Sequence, residues 1–204
     1  NLGIVDMGRL EVEDVSMMFD DFKNKDVIVF DMRNYPRYTL WEMVNYLYPG
    51  PIHIANFNIP DITHPGQLIV DSEEIGYGSD QPYSGKIILL FNEATLSQAE
   101  YTIMGFEQHP NSIKIGSTTQ GADGDVTSIR IPGRIILYHT GLGVFYPNFT
   151  PTQRVGIIPD YYIRPTIEGI RVGKDEVLEF ALNCSLGTDE LNTEFDINIF
   201  PNPT

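Results

Sequence analysis

Two unbroken apolar runs, residues 27–30 (VIVF) and 87–91 (IILLF), set the hydrophobic pattern of the chain. Each is too short for a helix and neither alternates with polar residues, which marks strands covered on both faces. Residues 2–6 predict a further short strand. Over residues 11–22 the apolar positions Val12, Val15, Phe19 and Phe22 are three, four and three apart, the spacing of an amphipathic helix. A second helix is expected over residues 40–48, with Thr39 and Glu42 spaced as a capping box. A third opens at Ser97 and closes before Pro110. Residues 113–115 then form a short strand that ends in a Gly/Thr-rich loop. Residues 161–164 read as a strand, and residues 175–182 as a final helix with Val177, Leu178, Ala181 and Leu182 on one face.

Strands alternating with helices at these lengths predict parallel βαβ units and an α/β layered fold. Two runs around Pro132-Gly133, residues 126–131 and 134–138, predict a hairpin and make the sheet mixed. Residues 49–85 differ in kind, being rich in Pro, Gly, Asn and Asp with short β-like runs at 53–57 and 67–70. They are expected outside the core, either lining a groove or as a solvated loop with edge strands. From Ser185 the chain turns polar and acidic, which places a domain boundary there: residues 1–184 form the core and 185–204 a linker and tail.

A length of 204 residues suits one domain with a substantial core. The net charge of −15 argues against nucleic acid or an anionic membrane as partner, since phosphate neutralisation needs basic patches. Cys184 is the single cysteine, so no internal disulfide forms, and with no His or basic residue near it in sequence it reads as a packing residue. No apolar run reaches the ~20 residues of a membrane span, and no signal peptide is visible. The chain opens NLGIVDMG without an initiator Met, as a piece of a longer protein would. No cofactor is expected: the glycines from Gly116 to Gly124 lack the Gly-Lys-Ser/Thr of a phosphate loop. The four histidines lack metal-ligand spacing, so no metal is expected either. Asp31, Asp123, Asp125 and Asp160 read as carboxylates at solvated loop ends.

The candidate chemistry lies at Ser97, past the strand at 87–91 and at the mouth of the third helix. Two readings stand there. Ser97 precedes Glu100 by three residues, the capping-box spacing, so its hydroxyl can simply satisfy a helix amide. A serine in this place can equally be a nucleophile, with the first helix amides binding an oxyanion. Thr118 and Thr119, in the following loop, are within sequence reach of touching the hydroxyl or of packing the loop.

Three blocks resemble the C-terminal processing (tail-specific) serine peptidases, a family that includes the tricorn core. DVIVFDMRNYP resembles its strand ending in an Asp-x-Arg-Asn loop. ATLSQAE with IGSTTQG resembles its nucleophile segment and the Gly-x-x-Thr-x-Gly loop. GIIPDYYI with GKDEVLEFAL resembles its closing Gly-x-x-Pro-Asp block and last helix. The resemblance implies the spiral α/β fold shared with Clp-type proteases and crotonases, and a peptide or protein substrate. It makes Ser97 the nucleophile and the Gln98 amide an oxyanion donor. A second donor is implied in the loop from Tyr35 to Arg37, where Pro36-Arg37 replaces the usual Gly-Gly.

The departures fall on the general base. The lysine of the processing branch is replaced by Ala122, while Asp6 and Gln153 stand where the tricorn-like branch has histidine and glutamate. Asp6 is left as a candidate base or a polar strand end, and His139 as a candidate base or a surface histidine. The expected function is therefore serine endopeptidase action on extended peptides, or peptide holding on the same scaffold without cleavage. The ending FDINIFPNPT resembles the start of a type IX secretion sorting domain, which implies export to the periplasm or cell surface.

Overall fold

The computed structural model describes residues 1–186 and 197–201. Strand β1 (Leu2–Asp6) leads through a 3-10 turn (Val12–Asp14) into helix α1 (Val15–Phe22), then β2 (Val27–Asp31) and α2 (Leu40–Leu47). The excursion folds as β3 (Ile52–Pro60) and β4 (Leu68–Ile75). After it come β5 (Lys86–Phe91), α3 (Gln98–Phe106), β6 (Ser112–Gly116) and the pair β7 (Val126–Ile131) and β8 (Ile135–Thr140). The chain continues through β9 (Gly143–Phe145), β10 (Tyr161–Tyr162), α4 (Ile167–Val172) and α5 (Glu176–Leu186) to β11 (Ile197–Phe200).

Six strands form one sheet in the order β10-β6-β5-β2-β1-β11, and every pairing in it is parallel. The unbroken apolar runs follow from its two covered faces. Ile28, Phe30, Ile87, Leu89 and Phe91 point to one face, under α1, α2 and α3. Val27, Val29, Ile88 and Leu90 point to the other, where Val177 and Ala181 of α5 close the layer. Cys184 packs against this second cluster, and its burial pushes the thiol pKa up. Antiparallel pairing is confined to two smaller sheets. β3 is the centre of a β4-β3-β9 sheet, and the Pro132-Gly133 hairpin stands apart as β7-β8.

Thr39 does not cap α2 as its spacing with Glu42 suggests. Its backbone is already helical (φ −75°, ψ −14°), whereas a capping residue is usually extended. Its hydroxyl is buried with no hydrogen-bond partner. In the tail, Ile197–Phe200 pairs in parallel with β1 and so extends the core sheet by one edge strand. Residues 187–196 and 202–204 of the linker and sorting-tail reading lie outside the described residues. No described helix is long and apolar enough to cross a membrane.

Candidate active site

The carboxyl ends of β1, β2 and β5 lie side by side, with Asp6 opposite Asp31 and Asp31 opposite Leu90. Loops at this edge of a parallel sheet are where α/β proteins build sites. Arg33 ties the edge together: its guanidinium donates to Asp31 and reaches across to Asp175 at the head of α5. Those two carboxylates hold the Arg33 pKa above its usual value, against the cost of burial. Asn34 donates to Asp6 Oδ1 at 3.0 Å, and the same oxygen accepts the Gly8 amide. Asp6 is thus occupied in holding loops together. The Asp-x-Arg-Asn block is a stitching device at the sheet edge.

Beyond β5 the chain turns sharply into α3. Ser97 sits at the turn with φ 53° and ψ −123°, a strained left-handed conformation for a residue with a Cβ. A serine on a strained strand-to-helix turn is the arrangement of a nucleophile elbow. Ser97 and Glu100 do stand in the capping-box relation. The bond with clear geometry, however, is the Ser97 amide donating to Glu100 Oε2 at 3.1 Å; the reciprocal approach of the Glu100 amide to the Ser97 hydroxyl is not a regular hydrogen bond. Gln98 supplies the first helix amide, which by position has no intrahelical acceptor.

Glu100 does more than cap the helix. It is 1% exposed and accepts four donors: the amides of Ser97, Gly121 and Ala122 and the hydroxyl of Thr119. The Gly-x-x-Thr-x-Gly loop is therefore folded onto the Ser97 turn by one buried side chain. Thr119 is buried too, and its Oγ1 also accepts the Ile157 amide at 2.7 Å. Gly156, before it, has φ +75° and lies so close that an added Cβ would meet the Thr119 carbonyl oxygen at 2.6 Å. The Gly-x-x-Pro-Asp block thus docks backbone to backbone against the loop.

Ser97 and Gln98 line a cavity of about 380 Å³ between α2, α3, β3, β4 and β9. Phe57, Tyr101 and Trp41 give it aromatic walls. Glu73, from β4, is held by the Tyr101 hydroxyl at 2.6 Å and by the Trp41 indole N–H at 3.3 Å. The excursion at 49–85 supplies this wall. Asp123 also lines the cavity and is 6% exposed. Desolvation, reinforced by the nearby charges of Glu100 and Asp125, raises its pKa to about 7 despite a bond from the Gly124 amide.

The other residues singled out by sequence stand elsewhere. His139 is exposed on β8, opposite Thr127, away from the cavity. Arg37 donates to the Gly8 carbonyl at 2.8 Å and pairs with Glu11, while the Tyr35 side chain is exposed. Neither side chain lines the cavity, nor does that of Thr118. Gln153 donates to the Asp123 and Leu142 carbonyls, which pins the loop beside the cavity. His109 is a core residue whose Nε2 lies 2.9 Å from the Tyr83 carbonyl oxygen. Among the described residues no group of His, Cys, Asp and Glu could hold a metal ion. Sequence reasoning missed Asp123, Glu73 and the loop-organising role of Glu100. Only Glu100 carried a signal, its spacing from Ser97.

Comparison with known proteins gives the chain a family. The sequence profile of peptidase family S41 matches residues 2–163. By structure the chain is similar to a putative peptidase from Parabacteroides merdae, with a TM-score of 0.75 and 18% identity over 93% of this chain and 61% of that one. It is similar to mature CPAF, at 0.69 and 14% identity over 89% of this chain and 49% of that one. It is similar also to the photosystem II D1 C-terminal processing protease, at 0.58 and 16% over 81% and 44%. The chain thus spans between 44% and 61% of the length of these proteins. No curated protein matches significantly by sequence. With the profile covering most of its length, the chain belongs to peptidase family S41.

Proposed function

We propose that this chain carries the nucleophile-bearing part of a serine peptidase that cleaves extended peptides through Ser97. One observation carries the reading: Ser97 is held in a strained backbone conformation at the mouth of α3 and lines a cavity with aromatic walls. In this reading Ser97 Oγ attacks the scissile carbonyl carbon. The Gln98 amide donates to the oxyanion, and the loop from Tyr35 to Arg37 supplies the second donor from its backbone. Such a donor is worth ~3 kcal/mol of barrier. Thr119 acts at one remove, by holding Glu100 and the loop, rather than on substrate.

The test is peptide turnover by the chain and by its Ser97→Ala variant, on a mixed peptide library read by mass spectrometry. Cleavage that Ser97→Ala abolishes supports the reading, and cleavage that survives the substitution rejects it. A second reading, peptide holding without cleavage, draws on Ala122 and Gln153, which stand where the resemblance implies catalytic side chains. Saturable peptide binding with no turnover, equal in both proteins, would favour it.

A further inference from the structure

Resting on the serine-peptidase reading, we infer that Asp123 is the general base that activates Ser97. The two residues are brought together by Glu100. Its Oε2 accepts the Ser97 amide at 3.1 Å and the Ala122 amide at 2.9 Å, so the two chain segments meet within two hydrogen bonds of each other. Asp123 is the next residue, and its side chain lines the same cavity as Ser97.

The carboxyl is oriented on one side only. Oδ1 accepts the Gly124 amide at 2.8 Å, and Gln153 fixes the Asp123 carbonyl at 2.9 Å. Oδ2 is buried with no hydrogen-bond partner. A buried carboxyl oxygen without a donor is costly, and in the wall of the cavity that Ser97 also lines it offers an acceptor for a proton. None of the four histidines and no lysine lines the cavity.

The step balances without a co-reactant. Asp123 Oδ2 takes the Ser97 hydroxyl proton, directly or across one water, as Oγ bonds to the carbonyl carbon. Asp123 then returns the proton to the departing amine as the C–N bond breaks. Water repeats the cycle on the acyl-enzyme, giving up its proton to Asp123 and releasing Ser97.

The surroundings tune the base to neutral pH. Glu100 and Tyr101 face Asp123 from α3, and Asp125 from its own loop. Asp71 and Glu73 share the cavity from β4, Tyr146 follows β9, and Arg154 lies on the loop's outer side. The acids outnumber the one cation, and burial acts in the same direction. A carboxyl held near pH 7 is a far stronger base than one in water.

The experiment is the rate of Ser97 modification by a fluorophosphonate across pH 5–9, on the 204-residue chain and its Asp123→Asn and Asp123→Glu variants. This reads nucleophile activation without needing the natural peptide. The wild-type rate should rise with pH through a midpoint near 7. Asp123→Asn should lower it about 100-fold or more and remove the inflection, while Asp123→Glu should keep an inflection. A wild-type rate without an inflection in this range overturns the inference and needs no variant to fold. A folded Asp123→Asn chain that reacts at the wild-type rate overturns it too, but leaves Ser97 as nucleophile. No reaction in any protein at any pH removes the serine-peptidase reading together with the base.

Discussion

Ser97 carries a conformational cost that its neighbours do not. A non-glycine residue in so sparsely populated a backbone region is destabilised by ~1–3 kcal/mol, and here the strain falls on the residue that the elbow geometry presents to the cavity. Ser97→Ala keeps the Cβ and hence the strain, whereas Ser97→Gly removes it. Ser97→Gly is expected to be more stable than Ser97→Ala by about 1–2 kcal/mol in urea unfolding, with both unable to react. Equal stabilities would mean that the turn is relaxed.

Asp123 gives a second stability signature, because its pKa is raised on folding. Between the unfolded value near 4 and the folded value of about 7, the native state holds a proton that the unfolded chain has lost. This group's contribution is therefore intact below about pH 4 and is lost as pH rises through 7. Asp123→Asn should stabilise the fold at pH 8 by about 2–4 kcal/mol and change it little at pH 4. Urea unfolding at both pH values checks the sign.

At the scale of elements, the core strands were legible and the site was legible in half. Residues 27–30 and 87–91 announce themselves because a strand buried on both faces has no polar alternation, whatever packs on it. The turn at Ser97 was legible through residue types at fixed spacing. Asp123 read as a solvated loop end, because the residues that share the cavity with it, among them Trp41, Phe57 and Tyr101, come from other parts of the chain. Glu100 read as a local cap because three of its four donors arrive from a loop some twenty residues away. Thr39 failed for the converse reason: its spacing fits a cap, but its backbone has already joined the helix.

The Arg33 clamp is likewise a product of the fold, since Asp175 lies 142 residues away in sequence. Removing it should loosen α5 more than the sheet. Arg33→Ala is expected to cost about 2 kcal/mol of stability, less than a fully buried pair because Asp175 is partly exposed. Amide exchange over residues 176–184 should accelerate, while β2 and β5 stay protected. Uniform acceleration would show that the clamp serves the whole domain.

For the whole molecule the dominant fact is charge. At −15, with Asp71, Glu73, Asp123 and Asp125 around the cavity and no basic side chain lining it, the field opposes acidic peptides and attracts basic ones. A lysine-rich peptide should therefore be cleaved with a kcat/KM about tenfold above that of a matched glutamate-rich peptide at low ionic strength. The gap should narrow severalfold at ~0.5 M salt as screening shortens the reach of the field. A preference that salt leaves unchanged would point to shape rather than charge.

The most direct test of Ser97 as nucleophile is covalent. After treatment with a fluorophosphonate, peptide mapping by mass spectrometry should find one adduct, on Ser97, and none in Ser97→Ala. A native chain that stays unmodified, or an adduct on another residue that survives the Ser97→Ala change, would contradict the account.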